Sequence, residues 1–245
     1  MMVVIIRILI NSVLSVVLFC TCLMLSWYVW SSNNFLFSQL YEYNELEVQI
    51  DKYAPQNRYR HNFETTSKDE RVRIFGQLVK AINNNGMGLE AIAYKANNGE
   101  IIDKFLTEPE INHLEDVSDF LKRIKIYAYI LTVFLVITVS ICWVTKVRKA
   151  KSAWRPFSVG KSFVSILALL LICYSAVFAI GPQKVFYVLH EYFFADKAQW
   201  FFYFQESLMT TMLPEPLFGS IASLLVATAF GMWIILSKFI IIILR

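Results

Sequence analysis

The stretch KVRKAKSAWRPFSVGK, Lys146–Lys161, carries six Lys or Arg and no acid, and it separates two apolar runs, Ile126–Thr145 and Phe163–Ile180. Each run is close to the roughly 20 mostly apolar residues that cross about 30 Å of hydrocarbon. A basic segment this short cannot fold alone, so it reads as a loop that returns the chain directly to the membrane. Two further runs, Ile8–Trp30 and Leu217–Ser237, have the same length and character. The 245-residue chain as a whole agrees: it is 57% hydrophobic and 16% aromatic, with mean hydropathy +0.50. That is too apolar for an ordinary soluble domain.

Charge placement orients these spans. Short loops rich in Lys and Arg stay in the cytoplasm, which puts Lys146–Lys161 inside. Arg7 before the first span, with Lys238 and Arg245 after the last, places both termini there too. All nineteen Asp and Glu fall in Ser31–Arg123 or Gly181–Pro216, the two segments this topology puts outside. The net charge of +4 adds only a mild attraction to anionic lipid.

The expected architecture is an all-α polytopic membrane protein with four transmembrane helices and a small α+β extracytoplasmic domain between helices 1 and 2. Its parts are a first span at 8–30, the domain at 31–125, a second span at 126–145 and a cytoplasmic basic loop at 146–162. A third span at 163–180, an aromatic-rich interfacial loop at 181–216 and a fourth span at 217–237 complete it. The first apolar run is longer than the usual signal-peptide core and no A-x-A-like site follows it, so it reads as a retained signal anchor. Cys20, Cys22, Cys142 and Cys173 all lie in apolar spans and read as small hydrophobes rather than a disulfide framework.

Within the domain, Ser67 and Glu70 have capping-box spacing, and Phe75, Leu78, Val79 and Ile82 follow on one helical stripe that stops at Asn85-Gly86. The runs LEAIAYK and EIIDKFL flank ANNG, where Asn98-Gly99 suits a hairpin. A second capping box, Thr107 and Glu110 with Pro109 in the first turn, starts a helix that feeds the second span.

All three histidines lie in the outer segments. Glu110, His113 and Asp116 are spaced by three, so they share a helical face and either carboxylate is able to orient or tune the ring. The same spacing also fits a plain solvated face. His190 and Glu191 sit in VLHEYFFADKAQW, Val188–Trp200, in a segment where ten of the nineteen residues Phe186–Phe204 are Phe, Tyr or Trp. The plain reading of those rings is a belt in the headgroup layer. As sequence neighbours His190 and Glu191 point apart on a helix, so His190 needs a partner from elsewhere, and His113 with its acids is the outer candidate. His61 has no motif around it and reads as structural.

Several chemistries lack a motif. HEYFF has Phe194 where H-E-x-x-H requires its second histidine, and a split metal site built from His113 and His190 has no spacing to support it. No G-x-S-x-G elbow and no Walker-type glycine loop occurs. No outward basic stripe with periodic aromatics points to nucleic acid.

The blocks LTEPEINHLEDV (Leu106–Val117), VLHEYFFADKAQW and LPEPLF (Leu213–Phe218), with the spacing His190 to Trp200 to Pro214, resemble the bacterial lipoprotein intramolecular transacylase family. The resemblance implies a bacterial cytoplasmic (inner) membrane protein with its site on the extracytoplasmic side, acting on a diacylated lipoprotein within membrane lipid. The reaction implied moves the sn-2 acyl chain of a diacylglyceryl-cysteine onto that cysteine's own amine, giving the lyso form. No cofactor is needed, because ester to amide is downhill. His113 and His190 become the catalytic pair, with Glu110, Asp116 and Glu191 orienting or tuning them. Phe193, Phe194 and Trp200 are expected to hold the acyl ester at the depth of the imidazoles. The competing class is a non-enzymatic membrane sensor or assembly subunit with an extracytoplasmic binding domain, whose histidines are structural.

Overall fold

The computed structural model describes residues 2–147, 159–194 and 199–244. The centre of the basic loop, 148–158, and residues 195–198 of the aromatic segment lie outside the described residues. The chain order is α1 (Met2–Ser32), α2 (Phe37–Tyr43), α3 (Leu46–Tyr53), α4 (Lys68–Asn83), β1 (Ala93–Lys95), β2 (Ile101–Lys104), α5 (Glu108–Val147), α6 (Val159–Ile180), α7 (Pro182–Phe194), α8 (Leu208–Met212) and α9 (Glu215–Leu244). Four of these helices hold stretches long and apolar enough to cross a membrane: Leu9–Ser32, Glu108–Thr145, Phe163–Ile180 and Glu215–Leu244. The chain divides into a membrane unit (Met1–Tyr28, Lys125–Gly181 and Ser223–Arg245) and a domain unit (Val29–Ile124 and Pro182–Ala222).

In the membrane unit α1 is the most enclosed helix, with 50% of its apolar window buried against 17%, 6% and 22% for α5, α6 and α9. Leu14, Leu18 and Cys22 of α1 share a core with Leu135, Ile166 and Trp233. Lipid tails are as apolar as these side chains, so burial alone gives membrane helices little reason to associate; close packing and interhelical hydrogen bonds do. α1 supplies one such bond to each of the other three. Ser12 Oγ meets Ser165 Oγ at 2.9 Å, Thr21 Oγ1 meets Thr132 Oγ1 at 3.1 Å, and Ser26 Oγ donates to the Leu225 carbonyl at 3.0 Å. All four cysteines are free.

The domain unit has an aromatic core, with Phe37 stacked on Phe75 at 4.0 Å and Phe63 edge-on to Tyr94 at 5.4 Å. α4 starts at an N-cap where Ser67 accepts from the Glu70 N–H. Its buried face is Arg71, Ile74, Phe75, Leu78 and Ala81, whereas Val79 and Ile82 of the expected stripe are half-buried. The face is rotated because Arg71 turns inward. Its Nε donates to Thr66 Oγ1 at 3.1 Å, Nη1 to Glu47 at 2.7 Å and to the Tyr41 hydroxyl, and Nη2 to the Glu64 carbonyl at 2.9 Å. A guanidinium so fully hydrogen-bonded is able to sit in a core without stranded donors.

The hairpin forms as an antiparallel β1–β2 pair with a bulge at Tyr94/Lys95, turned by Gly99 at φ +87°, a conformation that costs a residue without Cβ little. Its edge is tied to α4, since Glu70 accepts from the Lys95 N–H at 2.8 Å and Arg73 donates to the Ala93 carbonyl at 2.6 Å. The second segment of the unit lies against the first. The Arg58 N–H donates to the Gln205 carbonyl at 2.8 Å, Gln49 Nε2 to the Thr211 carbonyl at 3.1 Å, and the Tyr53 and Phe204 rings meet at 4.4 Å.

α5 has 40 residues, twice what a bilayer crossing takes (about 20). Within it 126–145 carries no Asp, Glu, Lys or Arg, whereas Glu108–Ile124, with Glu110, His113 and Asp116, belongs to the domain unit.

Candidate active site

Two helices of the domain unit present the histidines. α5 opens on the capping box: Thr107 N–H and Thr107 Oγ1 both donate to Glu110 Oε2 at 2.6 Å, and the Ile111 N–H donates to the Thr107 carbonyl at 3.0 Å. One turn on, His113 faces inward and is 6% exposed. α7 starts at Pro182, after Gly181 at φ +94°, and carries His190 one turn before its end at Phe194. The ring centroids of His113 and His190 stand 6.1 Å apart with their planes inclined by 37°.

Aromatic rings enclose the pair. Phe194 lies 5.3 Å from His113 and 5.6 Å from His190, Phe202 lies 6.0 Å from His113, and Phe186 and Trp200 lie 4.0 and 5.6 Å from His190. Phe193 packs on Phe120 at 4.6 Å, two turns along α5 from His113. Phe193, Phe194 and Trp200 were expected in this wall. Phe120, which the sequence already aligns with His113 at helical spacing, joins it with Phe186 and Phe202, and the helical spacing of Phe186 from His190 was the available signal for that ring.

This wall sets the electrostatics. Burial, joined by the nearby His190 and opposed by the Asp116 carboxylate, pushes His113 down from its ordinary value to about 4. Burial also lowers His190, against a raising contribution from its hydrogen bond to the Phe186 carbonyl. Both rings are therefore neutral near pH 7. His190 Nδ1 lies 3.0 Å from the Phe186 carbonyl oxygen. A carbonyl only accepts, so Nδ1 carries the proton and Nε2 keeps its lone pair. His113 Nδ1 is buried with no hydrogen-bond partner. A buried N–H without a partner is rarer in proteins than an unsatisfied acceptor, which favours the tautomer with hydrogen on His113 Nε2. One ring thus offers an acceptor and its neighbour a donor.

Two of the expected tuning residues make no described polar contact with an imidazole. Glu110 is fully buried, but its carboxylate is held by Thr107, by Ser207 Oγ at 2.5 Å and by the Met209 N–H rather than by His113. Burial pushes its carboxyl above the usual range despite these donors. The i, i+3 spacing put it on the right face, but its own N-terminal helix end and Ser207 offer better donors. Glu191 is exposed, and no described polar contact joins it to His190, as helical neighbours diverge. Asp116 does act on His113, through its charge. Ser207 escaped the sequence reading, although S-L-M-T is a helix-cap pattern and Ser207 does accept from the Thr210 N–H at 2.9 Å. His61 is exposed, and its carbonyl accepts from the Tyr94 hydroxyl at 2.7 Å. Among the described residues no group of three or more His, Cys, Asp or Glu is placed to hold a metal ion.

No curated protein matches the chain. Two solved structures do, both of the membrane integral lipoprotein intramolecular transacylase Lit from Bacillus cereus, in variants with a histidine replaced by arginine or by alanine. They are 16% identical to this chain over 96% of its length and 92% and 94% of theirs, with TM-scores of 0.62 and 0.61. That likeness shows the fold: four apolar helices with a small two-stranded sheet. Residues 8–218 match the family described as "Lipoprotein intramolecular transacylase Lit". The chain therefore belongs to the lipoprotein intramolecular transacylase family, a family of membrane-integral enzymes.

Proposed function

We propose that His113 and His190 are the catalytic groups of this transacylase. They move protons while the sn-2 acyl chain of a diacylglyceryl-cysteine passes to the amine of the same cysteine. The observation that carries the reading is the pair itself: two neutral imidazoles 6.1 Å apart, one with an open acceptor, inside an aromatic wall.

The chemistry balances without a cofactor. The neutral α-amine attacks the ester carbonyl carbon, forming the C–N bond, and His190 Nε2 takes the proton that the nitrogen sheds. His113 Nε2–H faces the developing oxyanion. The C–O bond to glycerol then breaks, and the proton held by His190 goes to the departing oxygen, leaving an amide, a free hydroxyl and both rings as they began. Proton transfer by a positioned imidazole contributes about 10²- to 10⁴-fold. The reacting groups belong to one lipid, so holding them in register matters more than binding strength. Phe193, Phe194 and Trp200 supply that hold on the acyl chain. Asp116 tunes His113 by its charge.

The substrate is a diacylated lipoprotein embedded in membrane lipid. The site faces away from the cytoplasm of a bacterial inner membrane, a reading supported by the acid-free basic stretch Lys146–Lys161 and by the nineteen acids of the other two segments. The direct test is mass spectrometry of a lipoprotein's N-terminal peptide with and without this protein. Conversion to the lyso form is expected, and its persistence with His113→Gln and His190→Gln combined in folded protein would overturn the reading.

A further inference from the structure

A chain of contacts leaves α5 at Glu110 and returns to the same helix one turn later. Glu110 Oε1 accepts from Ser207 Oγ at 2.5 Å across 97 residues of sequence, and its carboxylate also takes the Met209 N–H. Ser207 caps α8 through the Thr210 N–H, and Thr210 Oγ1 reaches back to the Phe202 carbonyl at 3.5 Å. Between them the Glu206 N–H closes a turn on the Tyr203 carbonyl at 2.9 Å. The Phe202 ring at the end of this path is 7% exposed and lies 6.0 Å from His113. Glu110 and Ser207 are each 0% exposed.

We propose that Glu110 is a positioning residue of the site: through Ser207 and the turn before α8 it holds the Phe202 ring against His113. A buried carboxylate with several donors is costly to strip and geometrically exacting, which suits a fixed anchor better than a proton carrier. No described hydrogen bond joins it to either imidazole. Its effect on the reaction comes from what the held ring excludes, water at the closed side of His113. The titratable groups acting on that imidazole are His190 from α7 and Asp116 from α5, and the segment packed over it presents Phe202. Releasing the segment rehydrates His113 without altering either of those groups. The proposal rests on His113 and His190 being the proton-handling pair, and the test separates the two claims.

The full-length protein, reconstituted in nanodiscs and labelled at histidine, is titrated by NMR. With only three histidines in the chain, His113→Gln and His190→Gln assign the signals. In Glu110→Gln and, more mildly, Ser207→Ala, the His113 midpoint is expected to rise from near 4 by about one pH unit or more as its environment hydrates. kcat for lyso-form production is expected to fall about tenfold with KM little changed. Ser207→Ala keeps the carboxylate and gives a reading even where Glu110→Gln folds poorly. An unchanged His113 titration in folded Ser207→Ala, with activity lost only in proportion to folded protein, would overturn the proposal. Full lyso-form conversion by His113→Gln would instead remove the catalytic reading, while the titration would still report whether Glu110 holds the wall.

Discussion

His190 Nδ1 lies 3.0 Å from the carbonyl oxygen of Phe186, its own helix one turn back. The bond is local, so it persists wherever α7 is helical, and it leaves Nε2 as the ring's open position. Glutamine at 190 keeps the size and polarity of the side chain but offers no basic nitrogen. His190→Gln is expected to lose about 10²- to 10⁴-fold in kcat for lyso-form production with the protein still folded, measured by the mass shift of a lipoprotein N-terminal peptide. Full conversion would make His190 a structural residue.

Asp116 acts on His113 by favouring its charged form. Asp116→Asn removes that influence and leaves the ring, a change expected to slow the reaction about tenfold. His113→Ala removes the ring itself and is expected to cost more. Initial rates of the two variants decide the ranking, and an equal, complete loss in folded Asp116→Asn would make the carboxylate the base.

His113 also makes stability depend on pH. Its folded value, about 4, lies below the ordinary 6.5, so as pH falls through that window the unfolded chain takes a proton that the folded chain refuses. The unfolded state then binds more protons, and stability rises with pH across the window and falls on acidification. Thermal unfolding in detergent at pH 7 and pH 5 is expected to show a larger drop in Tm for the natural protein than for His113→Gln. Equal drops would mean that His113 is not kept neutral by folding.

The proposed topology has its own check. Asn97 lies exposed in the β1–β2 turn. A cysteine introduced there is expected to react with an impermeant thiol reagent on intact cells or spheroplasts, and one at Ser152 in the basic stretch only after lysis. The reverse pattern would put both histidines on the cytoplasmic side.

The fold was legible where one local rule governs: four apolar lengths, two helix starts at Ser67 and Thr107, and the Asn98-Gly99 turn. The proximity of His113 and His190 was also inferable, since His190 diverges from its neighbour Glu191 on a helix and needed a partner from the other outer segment. What the sequence did not disclose depends on choices between competing partners. Spacing put Glu110 on the face of His113, but not that Ser207, 97 residues away, would take its carboxylate. Phe202 looked like any other ring of the aromatic belt, and only tertiary packing sets it against an imidazole.

Arg71 reads in KDERVR as one more surface charge, yet it is fully buried with its donors divided among Thr66, Tyr41, Glu47 and the Glu64 carbonyl. A lysine brings the same charge but gathers its donors at one point and cannot reach acceptors spread around a planar fork. In a survey of all single substitutions, then, the usually gentle exchange of Arg for Lys should be as damaging at 71 as exchange for Ala, while Lys at the exposed Arg58 should pass unnoticed. The tolerance of this domain to change is set less by how charged a position looks than by how many segments speak through it.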